Sequence, residues 1–204
     1  MYNTDELKEI IKERLSAYRY YHSLCVAESA KELAKRYGAD EHKAEVAGIL
    51  HDATKECKKK EHLEYIDKAG IEITDFERKE KKFYHQLSGA AFAKTELGID
   101  DEEILSAISC HTTGKADMTL LEEIVYLADF ISADRDYDDI ENIRAEAEKG
   151  KEYGLLYATQ YSIKSVVDKG SPLHPNTVDA YNWIIKKYFN KKDKKEKQDK
   201  KDSE

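Results

Sequence analysis

The chain has little of what interrupts helices or staples loops. Two prolines and nine glycines in 204 residues leave long stretches open to helix, and exclude collagen-like and loop-dominated folds. The three cysteines, Cys25, Cys57 and Cys110, are far apart and form no Cys-x-x-Cys pair. They read as reduced thiols, two of them packing as small apolar groups. No run approaches the roughly 18 apolar residues of a membrane span. The N-terminus, MYNTDELKEIIKERL, is acidic and amphipathic and lacks the apolar centre of a signal peptide. The expectation is a soluble, cytoplasmic protein. Sustained period-two alternation is missing too; Ile71-Glu72-Ile73 comes nearest and is too short for a strand. No repeat and no Gly-, Ser- or Pro-rich linker divides the chain.

Charge is plentiful but balanced. Charged residues make up 37% of the chain, and 34 basic against 42 acidic residues leave a net charge of −8. That balance argues against a disordered polyelectrolyte and gives no support to nucleic-acid binding through overall charge. With 40% hydrophobic content, the chain fits one globular domain. Its last fifteen residues, NKKDKKEKQDKKDSE, contain nothing to bury. Residues 190–204 are therefore expected to be a charged, disordered, lysine-rich tail, and 1–189 the folded domain.

Helical punctuation marks nearly every segment of that domain. Asn3 with Glu6 forms a capping signature before Leu7, Ile10, Ile11 and Leu15, which share one helical face. A second helix is expected from about Tyr20 to Tyr37, stopped by Gly38, and Asp40 caps a third that runs through Ala44, Ala47, Ile49 and Leu50. The same spacing recurs at Thr74–Glu77, Asp100–Glu103 and Thr119–Glu122, and Gly70, Gly98 and Gly170 stand where helices should end. The reading is all-α and single-domain.

Seven histidines are candidates for chemistry. His42 and His62 lie among charged residues and read as solvated helix faces. His51-Asp52 is different: it ends the apolar run VAGIL, so the pair is expected at a buried helix end. A buried carboxylate needs a partner, and a metal ion is an effective one. Successive helical residues differ by about 100° in direction, so both can reach one ion off that edge. His111 follows ILSAISC on the face of Ile104 and Ile108. Asp129 sits inside EEIVYLADFIS, where an aspartate is costly unless paired or metal-bound. His22 opens the helix containing Val26 and Ala30, and His85 precedes SGAAFA, whose small residues allow close packing. For each residue alone, a satisfied core histidine or a buried salt bridge is the competing reading; six together on helix ends and inward faces favour a metal site.

The order His22, His51-Asp52, His85, His111, Asp129 resembles the HD-domain metal-dependent phosphohydrolase pattern, in its version with two extra histidines for a second metal. HDATK at His51–Lys55, CHTTGKADMTLLEEIVYLADFI at Cys110–Ile131 and HPNTVDAYNW at His174–Trp183 resemble the YqeK family more closely, over about residues 10–185. The resemblance implies an HD-type helical bundle that converts diadenosine tetraphosphate to two molecules of ADP. It also implies one ion on His22, His51, Asp52 and Asp129, with Asp52 bridging to a second completed by His85 and His111. One departure is visible: where the family usually has Ile-Glu-Pro, this chain reads Ile131-Ser132-Ala133, so a supporting carboxylate is missing at 132.

Phosphoanhydride cleavage calls for an activated water and relief of phosphate charge, which two ions about 3.5–4 Å apart supply together. Imidazole and carboxylate ligands without thiolate suit iron, manganese, cobalt or zinc; iron is first by the resemblance. Asp52 and Lys55 are the expected catalytic pair, Lys55 contacting a phosphate beside the metals or stabilising the leaving group. Arg19 and Arg135 are phosphate candidates, with surface salt bridges as their alternative. Thr112, Thr113 and Gly114 offer hydroxyls and N–H groups to phosphate; ending the helix is the competing role of Gly114. His174 lies in a loop bracketed by Pro172 and Pro175, before a last helix capped by Asn176 or Thr177. The resemblance places it near the nucleobase or ribose, and an exposed capping-loop histidine is the alternative. Most of the fourteen tyrosines should edge the core, with one available to stack on adenine. Two other functions stay open. One is an HD enzyme acting on another phosphate ester, such as a nucleoside monophosphate, a deoxynucleoside triphosphate or a cyclic nucleotide. The other is a non-catalytic metal-binding signalling protein. A homodimer also stays open; neither nucleic acid nor membrane is an expected partner.

Overall fold

Residues 2–190 are described in the computed structural model of the chain; most of the expected lysine-rich tail lies outside the described residues. Eleven α-helices and no strand occur among these residues. The first three are α1 (Thr4–Arg14), α2 (Ala17–Tyr37) and α3 (Glu41–Leu50). Asn3 caps α1 by accepting the N–H groups of Asp5 and Glu6, and Asp40 caps α3 by accepting that of Lys43. The second helix begins three residues earlier than the apolar pattern suggested, because Ser16 accepts the N–H of Arg19. It ends as expected at Gly38, whose φ of +75° suits a residue without Cβ.

Helix α3 is the centre of the bundle and packs on α1, α2, α7 and α8. Its contact with α2 depends on Gly48: a Cβ there would lie 2.6 Å from the Ala27 Cα. The α2 and α3 backbones therefore approach closely where both carry histidines of interest.

The next segment comprises α4 (Lys59–Lys68), the short α5 (Asp75–Lys79), a 3₁₀ turn (Lys81–Phe83) and α6 (Tyr84–Leu97). Helix α6 is lined with small buried residues, Ser88, Gly89, Ala90, Ala91 and Ala93, and packs on α4 and α7. Next come α7 (Glu102–Cys110) and α8 (Leu120–Ile131). The cap of α7 is Asp101 rather than Asp100, and accepts the N–H groups of Glu103 and Ile104. Asp100 instead accepts the Tyr2 hydroxyl.

Two buried glutamates fix α8. Glu122 closes the Thr119 capping box and pairs with Lys115 at 2.7 Å. Glu123 receives Lys151 at 2.6 Å, Lys187 at 3.0 Å and the Tyr188 hydroxyl at 2.5 Å. These bonds tie α8 to α10 (Lys151–Asp168), which follows α9 (Ile140–Lys149), and to the π-helical end (Ile185–Phe189) of α11 (Pro175–Ile184). The core runs through Ile11, Val26, Ile49, Leu50, Ile104, Ile108, Ile124 and Leu127. Of the cysteines, Cys110 is buried while Cys25 and Cys57 are half-buried, and all three are free.

Candidate metal and phosphate site

Five helices and the turn 51–56 deliver the polar centre. His22 points inward from the second turn of α2, not from its start. His51 and His111 are the residues immediately after α3 and α7, His85 lies in the first turn of α6, and Asp129 lies on α8. Asp52 is the second residue of the turn 51–56, which is clamped from outside. Arg14 donates to the Ala53 carbonyl at 3.5 Å and lies 4.1 Å above the Phe92 ring. Glu56 accepts the Ser16 N–H and hydroxyl at 2.6 and 2.7 Å. Asp52 and Lys55 are thereby presented from a fixed loop.

The four imidazoles and Asp52 are buried and meet edge to edge. Nε2 of His22 is 3.3 Å from Nε2 of His51, and Nε2 of His85 is 3.2 Å from Nε2 of His111. Asp52 divides its carboxylate between the pairs. Oδ2 lies 3.6 Å from His51 Nε2 and 3.9 Å from His22 Nε2; Oδ1 lies 3.5 Å from both His85 Nε2 and His111 Nε2. Asp129 Oδ1 closes the first group, 3.1 Å from His22 Nε2 and 3.8 Å from His51 Nε2. The structure therefore gathers all six residues named from the sequence.

Proton accounting shows that this donor set suits a cation. Each imidazole gives its Nδ1–H to an oxygen: His51 to Gly48 at 2.7 Å, His85 to Lys82 at 2.9 Å, His111 to Ile108 at 2.7 Å, and His22 to the Asp134 carboxylate at 2.8 Å. A neutral ring then carries a bare lone pair on Nε2. Four lone pairs face one another and two carboxylates, and the buried Asp52 Oδ1 has no hydrogen-bond partner. Burial pushes the His51 ring down to about 4, and burial together with Lys55 pushes His85 well below the ordinary imidazole range, so both are held in the neutral ligand form. Burial raises the carboxyls, but Arg135, first among several neighbours, helps outweigh it for Asp129, and His51, His111 and Lys55 help outweigh it for Asp52; both lie well below the usual carboxylate range. Neutral imidazoles with ionised carboxylates are the forms a divalent ion takes. His22–His51–Asp129 and His51–Asp52–His111 each bring three such atoms within 4.8 Å of one another.

Cationic side chains line the open side. Arg19 reaches Asp52 Oδ2 at 2.7 Å. Lys55 Nζ lies 3.5 Å from Asp52 Oδ1 and 2.8 Å from His85 Nε2. Arg135 donates to the Asp129 backbone carbonyl at 2.7 Å and to its carboxylate. Both arginines form salt bridges, as the alternative reading had it, but with carboxylates of the cluster rather than on the open surface.

Thr112 Oγ1 lies 2.8 Å from His85 Nε2. Thr113 is buried and donates to the Gly114 carbonyl at 2.9 Å. Gly114, with φ +63°, sits against Ala180 and Tyr126 and ends the α7 turn through its N–H to Cys110 O. Neither reaches the imidazole cluster. A cavity of about 260 Å³ beside His85 is lined by Lys55, Lys82, Thr112 and His174, among others. His174 is not an exposed loop residue: it is buried, itself caps α11 by accepting the Asn176 N–H, and meets the Phe83 ring at 4.7 Å.

Two residues escaped sequence reasoning. Asp134 is paired with His22, and its other oxygen accepts the Ser132 hydroxyl at 2.7 Å, so a carboxylate is supplied two residues beyond the position where one was missed. Its signal was Ser132-x-Asp134, a serine spaced to orient an aspartate. His62, expected to be solvated, is buried because the small face of α6 lets α4 pack closely; no local feature of KKKEHLEY announces it.

The HD domain family matches residues 19–134. The chain is 35% identical over 185 residues to the symmetrical bis(5'-nucleosyl)-tetraphosphatase of Bacillus subtilis, covering 90% of this chain and 98% of that protein. It is 33% identical over 183 residues to the protein of the same name from Halalkalibacterium halodurans, covering 90% and 97%. Among solved structures, a predicted HD superfamily hydrolase involved in NAD metabolism from Clostridium acetobutylicum superposes with a TM-score of 0.87 at 37% identity, covering 92% of this chain and 99% of that one.

Proposed function

Since the chain belongs to the HD-domain family, and within it to the symmetrical bis(5'-nucleosyl)-tetraphosphatases, we propose that it hydrolyses diadenosine tetraphosphate to two ADP on two divalent ions, iron first among them. The observation that carries this is the division of the Asp52 carboxylate, one oxygen toward each histidine pair. His22, His51, Asp52 and Asp129 would hold one ion, and Asp52, His85 and His111 the other. Bound there, divalent ions supply Lewis-acid activation of water and of the phosphoryl oxygen.

The chain's own residues do the rest. The bond that forms joins a water oxygen to one of the two inner phosphorus atoms; the bond that breaks runs from that phosphorus to the oxygen bridging the inner pair. That oxygen leaves with the second ADP, so one water and one tetraphosphate give two diphosphates. Lys55, one third exposed beside Asp52, places an ammonium where charge accumulates on the departing phosphate. Arg19 and Arg135 stand on the opposite side of the cluster and take phosphate oxygens, fork against tetrahedron. Thr112, Thr113 and Gly114 follow directly on His111, and of these Thr112 faces the reacting phosphates. The cavity between Lys55 and His174 receives one arm of the substrate, His174 being its far wall. No helix among the described residues is long and apolar enough to cross a membrane, and three free thiols fit the reducing cytoplasm.

The test is incubation with diadenosine tetraphosphate, anaerobically with ferrous iron and separately with manganese, followed by chromatography. ADP as sole product is expected. ATP plus AMP would overturn symmetrical cleavage, and no turnover with either metal would overturn the assignment.

A further inference from the structure

A line of hydrogen bonds lies behind His85, on the side away from the cluster. His62 on α4, Ser88 on α6 and Thr54 in the turn 51–56 are all buried. His62 Nδ1 lies 2.7 Å from Ser88 Oγ, Ser88 Oγ lies 2.8 Å from Thr54 Oγ1, and the Thr54 hydroxyl donates to the His85 carbonyl at 3.1 Å. The line joins three segments. One end touches the backbone of His85, the middle sits two residues after Asp52 and one before Lys55, and the far end is anchored on α4. The approach is close: a Cβ on Gly89 would lie 3.3 Å from the His51 carbonyl and 3.7 Å from Thr54 Oγ1.

The Ser88 hydroxyl also lies 3.4 Å from the His85 carbonyl, so four contacts compete for the hydrogens available, and each hydroxyl owns one. If Thr54 donates to His85, Ser88 must donate to Thr54; if Ser88 donates to His85, Thr54 must donate to Ser88; in both cases Ser88 has nothing left to give His62. The ring must therefore donate, with its proton on Nδ1. Were His62 an acceptor, Ser88 would turn to it, and either the Ser88–Thr54 contact would hold two bare oxygens or Thr54 would abandon the His85 carbonyl. The direction of the whole line is thus set at His62. Buried hydroxyls left without partners are costly, so a break at the far end is transmitted to the near one.

We propose that His62 is a positioning residue for the His85–His111 half of the site, acting as the donor that fixes Ser88, Thr54 and through them the His85 backbone and the Asp52–Lys55 turn. It touches neither ion nor substrate. The proposal rests on the reading of the cluster as a two-ion site. Outer partners of metal-binding imidazoles typically change affinity by about 10–100-fold when lost, and His62 acts chiefly on the half-site it supports, reaching the other only through the shared Asp52.

The test is titration of the full chain with manganous ion, followed calorimetrically, with melting temperature recorded for every variant. His111→Ala identifies which binding step belongs to the His85–His111 half. His62→Ala and His62→Asp are expected to weaken that step by about tenfold or more, with the other step weakened much less. His62→Asn, which offers a donor at nearly the same place, should bind like the wild type. Thr54→Val cuts the line at its other end without touching α4. It should match His62→Ala, with the double variant no worse than either. Equal affinities in His62→Ala and wild type would overturn the role of His62, as would a loss in His62→Asn as large as in His62→Ala, or a loss shared equally by both steps. Should a His62 variant fail to fold, Thr54→Val alone decides: an unaltered second step refutes the line. A wild type that binds fewer than two manganous ions would instead refute the two-ion reading itself.

Discussion

Asp134 Oδ2 lies 2.8 Å from Nδ1 of His22, 112 residues earlier in the chain. The pair is fully inside the protein, and Ser132 holds the other carboxylate oxygen. A carboxylate on the far nitrogen fixes the tautomer of the ring and raises its basicity toward the cluster. Asp134→Asn keeps the shape and removes the charge. Its kcat/KM on diadenosine tetraphosphate should fall about 10–100-fold; an unchanged value in a steady-state assay would mean that His22 needs no such support.

Lys55 Nζ stands between His85 Nε2, at 2.8 Å, and Asp52 Oδ1, at 3.5 Å. Lys55→Ala should lower kcat by on the order of 100-fold, the size seen when one donor to developing charge is removed. Metal content measured on the same samples should stay at the wild-type level; loss of metal instead would make Lys55 a structural part of the cluster.

Chelation should abolish turnover and lower stability, because the facing Nε2 lone pairs and Asp52 Oδ1, which has no hydrogen bond and only Lys55 at 3.5 Å, lose the cation that reconciles them. Adding ion back at about a hundredfold over its Kd stabilises by about 2.7 kcal/mol, on the order of 5–10 °C for a chain of this size. Calorimetry of the stripped and reloaded protein checks this.

Burial lowers the pKa of both His62 and His174 relative to a free imidazole. Below the ordinary value of about 6.5, the unfolded chain takes protons that the folded chain refuses. Unfolding free energy therefore rises with pH through that window: stability is full above it and is lost as the pH falls through the unfolded-state value toward the lowered ones. Melting temperatures of the metal-free protein should drop between pH 7 and 5, and the drop should be shallower in His62→Asn.

Burial pushes the Cys110 thiol up to about 12, whereas Cys25 and Cys57 are half-buried. Thiolate is the reactive form. A disulfide reagent at pH 8 should label Cys25 and Cys57 in the folded protein and reach Cys110 only after denaturation; mass spectrometry of the labelled peptides reads this directly.

The sequence alone determined what is local. Asn3, Asp40, Thr74 and Thr119 cap the helices they precede, and Gly38, Gly70, Gly98 and Gly170 take the left-handed turn at helix ends, because both signals act within one turn of backbone. His51-Asp52 at the end of an apolar run was legible for the same reason. Small shifts, such as Asp101 for Asp100, arose where two adjacent acids offer the same cap. Only the tertiary structure decided what those side chains meet. Whether Nε2 of His85 faces His111, whether Asp134 backs His22 and whether His62 is buried depend on which helix lies opposite. That is set by close approaches such as Gly48 on Ala27, between residues far apart in the chain. A charged neighbourhood makes a histidine look solvated; here the small residues of another helix took it out of water.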